Sequence, residues 1–262
     1  MKKIITFLLC VASTGVSMSQ DLSLFQKKMF IRGNDTLRYR ILYPAKYKKG
    51  RTYPMILFLH GAGERGNDNE SQLLHGGKLF VRPDIRKNFP AIIIFPQCPK
   101  NSYWARAQRT GNTPDWVFTP EEPPTTPQLL VKMLTDSLAE NHIVNSSRIY
   151  IGGLSMGGMG TYEMLGRYPG YFRAAFPICG ACNISWFLGN AQHTPMWMFH
   201  GAKDDVVSPQ PDRELFKALM TRETPYVIYT EYPNANHNSW DSALAEPKLL
   251  PWLFSDRKRR TN

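Results

Sequence analysis

The chain has 262 residues, of which 42% are hydrophobic and 20% are charged, and its formal net charge is +11. This length and composition are typical of one globular domain with a substantial core, and they do not favour a second domain. The basic residues are scattered apart from two clusters, at 46–49 and 257–260, and no nucleic-acid-binding motif accompanies them. The positive charge therefore predicts a solvated basic surface, and we expect no nucleic-acid partner.

The N-terminal segment is typical of an export signal. Lys2 and Lys3 precede a short apolar stretch, and Ser17-Met18-Ser19 provides small residues at both positions that a cleavage site requires. The apolar stretch is shorter than the roughly 20 residues that span a bilayer, so stable membrane insertion is not expected. We therefore predict a signal peptide at residues 1–19, a single domain at 20–262, and a secreted or periplasmic location.

Short β-rich segments alternate with longer helical patterns along the remaining chain, which predicts an α/β fold with helices on both faces of a mostly parallel central sheet. Predicted strands cover residues 28–32, 37–43, 55–60, 91–96, 149–154, 174–178, 196–200 and 226–232. Predicted helices cover residues 127–141, 156–168, 211–222 and the segment from 240 to the C-terminus. Two stretches without a regular pattern, 61–82 and 97–126, follow strands at the edge where open α/β sheets bind ligands.

A GxSxG motif, Gly153-Leu154-Ser155-Met156-Gly157, lies between a predicted strand and a predicted helix. A serine on such a tight strand-to-helix turn presents its hydroxyl above the sheet, and the glycines keep other side chains out of the crowded turn. The sequence therefore predicts that Ser155 is the nucleophile of a serine hydrolase.

The acid and the base of such a site follow the serine along the chain, with the acid first. Asp204 comes in the turn after the predicted strand that ends at His200, and His237 lies in a turn-rich loop after the last predicted strand. We predict that these two residues are the acid and the general base. Asp205 is the alternative acid and is otherwise expected to hold the loop or face the solvent. His60 and His200 both end buried strands, where packed and hydrogen-bonded histidines are expected.

An oxyanion hole is also expected, because backbone N–H donors stabilise the negative charge of a tetrahedral intermediate. One predicted donor is the amide of Met156, directly after the serine. The other is the amide of Ala62, with Gly61 as the alternative, in the loop after the strand at 55–60. Small residues let this backbone approach an ester carbonyl, and we expect His60 to brace the loop.

Three cysteines follow the predicted signal peptide, so at least one thiol is expected to be free. They are Cys98, Cys179 and Cys182. The spacing of the last two suits a redox or metal site, but a zinc site needs further ligands nearby, and the sequence offers none there. We expect either a local disulfide or buried thiols, and no metal or other cofactor.

Four motifs together resemble those of secreted serine esterases of the α/β-hydrolase superfamily, namely the relatives of feruloyl esterases and polyhydroxyalkanoate depolymerases. The motifs are HGAGERG at 60–66, GLSMGG at 153–158, HGAKDD at 200–205 and NHNSWD at 236–241. In such hydrolases the acid lies four positions after the histidine of an HGxxD segment, which favours Asp204. The resemblance implies an α/β-hydrolase fold and a carboxylic-ester hydrolase that forms an acyl-enzyme. It also implies feruloyl or acetyl esters of plant polysaccharides as substrates.

Aromatic residues in the second irregular stretch are candidates for substrate binding. Trp104 and Trp116 suit a phenolic or sugar-linked acyl group through stacking, and the alternative for Trp116 and Phe118 is that they pin the loop to the body of the domain. Trp240 is expected to pack beside His237.

Two other functions stay open. A serine peptidase of the same fold uses the same groups, and a non-catalytic binding protein is the second alternative, against which the intact triad argues. The sequence indicates no oligomeric state.

Overall fold

The computed structural model describes residues 21–109, 111, 115–191 and 193–255. The strands in chain order are β1 (Gln26–Arg32), β2 (Asp35–Leu42), β3 (Tyr53–Leu59), β4 (Ile92–Gln97), β5 (Ala107–Arg109), β6 (Trp116–Phe118), β7 (Val144–Leu154), β8 (Ala174–Ile178), β9 (Met196–Gly201) and β10 (Val227–Tyr232). The α-helices are α1 (Gly77–Val81), α2 (Pro83–Asn88), α3 (Thr126–Glu140), α4 (Met156–Arg167), α5 (Ile184–Asn190), α6 (Gln210–Thr221), α7 (Trp240–Ala245) and α8 (Leu249–Phe254).

Eight of these strands form one sheet in the order β1-β2-β4-β3-β7-β8-β9-β10. β2 pairs antiparallel with β1 and β4, and the other neighbouring strands pair in parallel. The predicted mostly parallel sheet is thus confirmed. The carboxyl ends of β3, β7, β8, β9 and β10 meet at one edge, where the predicted site residues follow them.

Helices cover both faces of this sheet, as predicted. Successive residues of β3 alternate between two hydrophobic cores: Leu57 and Leu59 pack on one face, and Ile56 and Phe58 pack on the other. The first core includes buried side chains of α3, α4, α5 and α6, and the second includes those of α1, α7 and α8. Strands buried on both faces are continuously apolar, and this pattern makes them predictable from the sequence.

The predicted strands of the main sheet are confirmed within a few residues, except that β7 begins at Val144 rather than at 149. The irregular stretches contain short elements: 61–82 includes α1 and two 3-10 turns, and 97–126 includes the β5–β6 hairpin. α5 was not predicted, because one or two helical turns give little periodicity. The helix predicted from 240 divides into α7 and α8, since Pro247 disfavours helical backbone at Glu246.

The predicted signal peptide and the basic cluster at 257–260 lie outside the described residues. Within the described ranges, none of the helices has the length and apolarity that crossing a bilayer requires.

α4 begins against the backbone of the neighbouring strand β3. A Cβ added to Gly157 would lie 2.0 Å from the carbonyl oxygen of Leu59, and one added to Gly153 would lie 2.4 Å from the carbonyl oxygen of Gly157. Both obstacles are backbone atoms, which cannot rotate away as a side chain does. Glycine at these two positions therefore permits the close approach of α4 to the sheet.

Gly157→Ala is expected to lower the free energy of unfolding by about 1–3 kcal/mol or more, because the methyl group overpacks against backbone. Gly189→Ala is the matched control in α5, since nothing lies within 4 Å of a Cβ added there. Replacing glycine by alanine within a helix is expected to stabilise this control by about 0.5–1 kcal/mol. Urea unfolding of both variants tests the prediction, and equal shifts of the two midpoints would contradict it.

Candidate active site

Ser155 lies at the turn between β7 and α4 with φ 54° and ψ −118°. Residues other than glycine rarely adopt a positive φ, so the surrounding structure must hold this conformation. The Ser155 amide donates to the Ile178 carbonyl at 2.9 Å, and the Ser155 carbonyl accepts from the Met159 amide at 3.0 Å. These bonds tie the turn to β8 and to α4, which is the local geometry of a nucleophile elbow.

Ser155, His237 and Asp204 form a continuous hydrogen-bonded chain. His237 Nε2 lies 2.8 Å from Ser155 Oγ, and His237 Nδ1 lies 2.8 Å from Asp204 Oδ2. Donation from Nδ1–H to the carboxylate fixes the tautomer in which Nε2 accepts the serine proton. The structure thus brings together the three residues that the sequence indicated.

The carboxylate of Asp204 is buried, and both of its oxygens have polar partners. Its Oδ1 accepts from the amides of Val206 at 3.0 Å and Val207 at 2.9 Å. Its Oδ2 contacts His237 and also lies 3.3 Å from His200 Nε2. Burial opposes ionisation, but the hydrogen bonds from His200, His237 and Val207 outweigh it and hold the pKa of Asp204 well below its usual value. Asp204 therefore carries a negative charge beside His237.

The loops around His237 are held by local contacts. The side chain of Asp205, the alternative acid, is exposed, and its amide donates to Asn236 Oδ1 at 3.2 Å. Asn236 Oδ1 also accepts from the His237 amide at 2.7 Å. The ring of Trp240 meets the His237 ring edge-on at 5.4 Å, which confirms the packing predicted for Trp240.

The two predicted oxyanion donors both occupy helix starts. Met156 is the first residue of α4, and Ala62 is the first residue of the 3-10 turn Ala62–Glu64. Amides at the first position of a helix have no partner within the helix, and this end favours negative charge. A Cβ added to Gly61 would lie 2.8 Å from Leu154 Cδ1, so this loop packs directly against the end of β7.

His60 braces the Gly61–Ala62 loop, as predicted. Its Nδ1 lies 2.6 Å from the Gly61 carbonyl oxygen, and its Nε2 accepts from the Cys98 amide at 3.0 Å. The group that faces Nδ1 is a hydrogen-bond acceptor and the group that faces Nε2 is a donor. These two contacts fit a neutral ring. Burial accordingly lowers the pKa of His60 from 6.5 to about 4.

The predicted substrate-binding role of Trp104 is wrong. Its side chain is fully buried, and its ring lies 5.3 Å from the His60 ring in an edge-on contact. A Cβ added to Gly160 would lie 2.5 Å from the Trp104 Cβ, so Trp104 packs on α4. Because Gly160 has no side chain, α4 leaves room for a large side chain at this point. The Trp104 ring therefore fills the core beneath the Gly61–Ala62 loop.

Trp116 occupies a different environment. It is partly exposed in β6, with its ring centroid 6.0 Å from that of Tyr103. Together with Phe118 and Cys182 it lines a cavity of about 230 Å³. An aromatic wall of this kind is compatible with the stacking role considered for Trp116.

The sequence motifs predict a buried, hydrogen-bonded His200 but do not indicate its partner Asp212 or the hydroxyl of Tyr162. His200 lies between Asp204 and Asp212, and Asp212 accepts a hydrogen bond from the hydroxyl of Tyr162 at 2.6 Å. One signal was present in the sequence: Asp212 shares the spacing of the buried Leu215 and Leu219, which places it on the inner face of α6.

Within the described ranges, one group of side chains could hold a metal ion. It comprises Cys179, Asp204 and His237, whose candidate ligand atoms lie within 4.8 Å of one another. The Asp204 and His237 atoms already hydrogen-bond each other, and burial raises the pKa of the Cys179 thiol. Cys98, Cys179 and Cys182 are all free, so the structure contains free thiols rather than a local disulfide, and Cys98 and Cys179 are buried whereas Cys182 is partly exposed.

Acidification is expected to destabilise the protein through His60. His60 has a pKa of about 4 in the folded state, whereas an ordinary histidine has a pKa of 6.5. Between these two pH values the unfolded state therefore binds more protons than the folded state. The free energy of unfolding should therefore fall as the pH drops through this window, by up to about 1.4 kcal/mol per pKa unit. Comparing urea unfolding of the wild type and His60→Asn from pH 4 to 7 isolates this contribution. The variant should show the shallower dependence, and parallel curves would contradict the assignment.

Comparisons with known proteins place this geometry in a family. A family model described as phospholipase/carboxylesterase matches residues 46–248. The chain is 30% identical over 157 residues to a bifunctional acetylxylan esterase/xylanase of Neocallimastix patriciarum, covering 60% of this chain and 20% of that protein. It is 35% identical over 136 residues to poly(3-hydroxyalkanoate) depolymerase C of Paucimonas lemoignei, covering 48% of this chain and 28% of the relative.

Solved structures extend the comparison. A thermostable esterase superposes with a TM-score of 0.77 at 32% identity, covering 89% of this chain and 63% of that one. A ferulic acid esterase from Anaeromyces mucronatus, in complex with ferulic acid, superposes with a TM-score of 0.62 at 16% identity, covering 86% of this chain and 89% of that one. The last likeness concerns the fold alone. The matched region and the sheet topology together establish that the chain belongs to the phospholipase/carboxylesterase family and has the α/β-hydrolase fold.

Proposed function

We propose that this protein is a serine carboxylic-ester hydrolase that acts through an acyl-enzyme, with Ser155 as the nucleophile. The carrying observation is the Ser155–His237–Asp204 hydrogen-bonded chain at a strained strand-to-helix turn. Membership of a carboxylesterase family supports the same reaction.

In this proposal His237 Nε2 takes the proton of Ser155 as Oγ attacks the ester carbonyl carbon. The carbonyl oxygen becomes negatively charged, and the amides of Met156 and Ala62 stabilise it. His237 then gives the proton to the departing alcohol, which leaves the acyl group on Ser155. A water molecule that gives a proton to His237 then attacks the acyl carbon, the bond to Ser155 Oγ breaks, and His237 returns the proton to Oγ as the carboxylic acid is released. Asp204 stabilises the imidazolium ion that forms twice in each cycle.

We further propose feruloyl or acetyl esters of plant polysaccharides as the substrates. Support comes from the acetylxylan esterase among the similar proteins. The cavity beside Trp116 adds support, because Trp116 packs against a cluster that contains Met159 and Val207. The amides of Met159 and Val207 donate to Ser155 and Asp204, so the cluster against which Trp116 packs is bonded to two of the catalytic residues. Trp116 would then stack on a phenolic acyl group.

The location of the protein follows from its N-terminus in this proposal. Residues 1–19 carry the features of a signal peptide, which would deliver the enzyme to the periplasm or the medium.

Removing the nucleophile tests the reaction. Ser155→Ala is expected to lower kcat/KM for p-nitrophenyl acetate and methyl ferulate by at least about a thousandfold while the unfolding midpoint is retained. Asp204→Asn should also lose most activity, whereas Asp205→Asn, its exposed neighbour, should retain it.

Trp116→Ala should raise KM for methyl ferulate more than for p-nitrophenyl acetate.

The same assays distinguish the alternatives. Full activity in Ser155→Ala would overturn the mechanism, and cleavage of a peptide p-nitroanilide without cleavage of esters would favour a peptidase. Equal losses on both esters in Trp116→Ala would remove the support for an aromatic acyl group.

A further inference from the structure

His200 is a fully buried histidine with an acceptor oxygen at each ring nitrogen. Its Nδ1 lies 2.7 Å from Asp212 Oδ2, while its Nε2 lies 3.0 Å from the Val207 carbonyl oxygen and 3.3 Å from Asp204 Oδ2. A neutral imidazole has one N–H and would direct a nitrogen lone pair at one of these oxygens. The contacts therefore fit an imidazolium that donates from both nitrogens.

Asp212 is held from the opposite side by α4. Its Oδ1 accepts from the Tyr162 hydroxyl at 2.6 Å, and both side chains are almost completely buried. Tyr162 belongs to the helix that begins directly after Ser155. Hydrogen bonds join Ser155 to His237, His237 to Asp204, His200 to Asp212 and Asp212 to Tyr162. An ion-pair contact of 3.3 Å between Asp204 and His200 closes this circuit, which returns to the helix at the serine.

We propose that His200 and Asp212 are positioning residues for the triad: the His200 imidazolium, anchored by Asp212, holds Asp204 in the ionised form and orientation that His237 requires. This inference rests on the proposed function. Neither residue contacts the reacting atoms, so both act through Asp204.

Several other titratable groups face this circuit, from β8, β9, β10, α4 and the loops that follow the strands. Besides Asp204, Asp212 and His237, they are Tyr162, Cys179, Cys182, Tyr229 and Glu231. Burial raises the pKa of each of these phenols and thiols, so they remain neutral at ordinary pH. Glu231 is paired with Arg213 at 2.8 Å. Within this circuit, the charges that remain to act on His237 are therefore those of Asp204, His200 and Asp212.

The balance of burial and contacts at His200 agrees with this charge assignment. Burial opposes its protonation, but hydrogen bonds to Asp204 and Asp212 outweigh burial and raise the pKa of His200 to about 10. His200 thus differs from His60, the other buried histidine at the end of a strand.

Substitutions that change one charge at a time test the proposal. His200→Gln removes a positive charge that repels the imidazolium form of His237, so the acidic limb of the kcat/KM profile should move to higher pH. Asp212→Asn removes a negative charge while His200 still faces Asp204, so the limb should move to lower pH. Each shift should be about half a pH unit or more, and KM should stay near the wild-type value.

Two control variants separate charge from folding. Tyr162→Phe retains every charge and should leave the limb in place, even where it lowers kcat. The double variant His200→Gln/Asp212→Asn removes both charges and should return the limb toward the wild-type position. Superimposable profiles for all variants, with losses that match only the folded fraction, would overturn the proposal.

A measurement without substrate keeps this inference distinct from the esterase proposal. In the ¹⁵N-histidine spectrum of the wild-type protein, His200 should show two protonated ring nitrogens at pH 7, and these signals should be missing from His200→Gln. Titration of His200 near pH 6.5, or a single protonated nitrogen at pH 7, would overturn the proposal. Absence of ester hydrolysis with a doubly protonated His200 would instead overturn the proposed function alone.

Discussion

The turn at Ser155 is the constraint on which the rest of the molecule depends. Ser155 keeps a positive φ because its amide and carbonyl are bonded to neighbouring elements and because α4 presses against the backbone of β3 at Gly157. A side chain on Gly157 would separate the helix from the sheet and move the serine with it. The same turn leaves the Met156 amide free of an intrahelical partner, so one local geometry supplies both the hydroxyl and the amide that we propose as an oxyanion donor.

Two buried histidines show that the local environment, and not the residue type alone, determines the charge of a side chain. His60 and His200 both end central strands, and both are essentially inaccessible to solvent. His60 receives an amide N–H at one nitrogen and is neutral, whereas His200 faces oxygens at both and lies between two carboxylates. His60 therefore shapes the loop that contains Ala62, the proposed oxyanion donor. His200 instead lies beside the negative charge of Asp204. Burial without partners would have kept both rings neutral.

The sequence predicted the parts of the structure that are set by local pattern. Continuously apolar strands and the GxSxG turn are visible in single segments, and the order serine, acid, histidine identified the residues that the structure brings together. Short elements such as α5 lack periodicity, and Trp104 and Trp116 could not be told apart, because only packing against α4 buries one of them. The contact between His200 and Asp212 joins β9 to α6, so it depends on tertiary packing, although the helical spacing of Asp212 hinted at burial.

The central claim is that Ser155 is a nucleophile activated by His237. The most direct measurement is covalent trapping with a fluorophosphonate, followed by intact-mass analysis and mapping of the modified peptide. The account predicts one adduct per chain, located on Ser155, formed rapidly in the wild type and in Asp205→Asn but slowly in His237→Asn and Asp204→Asn. An adduct on a different residue, or ester turnover by a protein in which Ser155 remains unmodified, would contradict the claim.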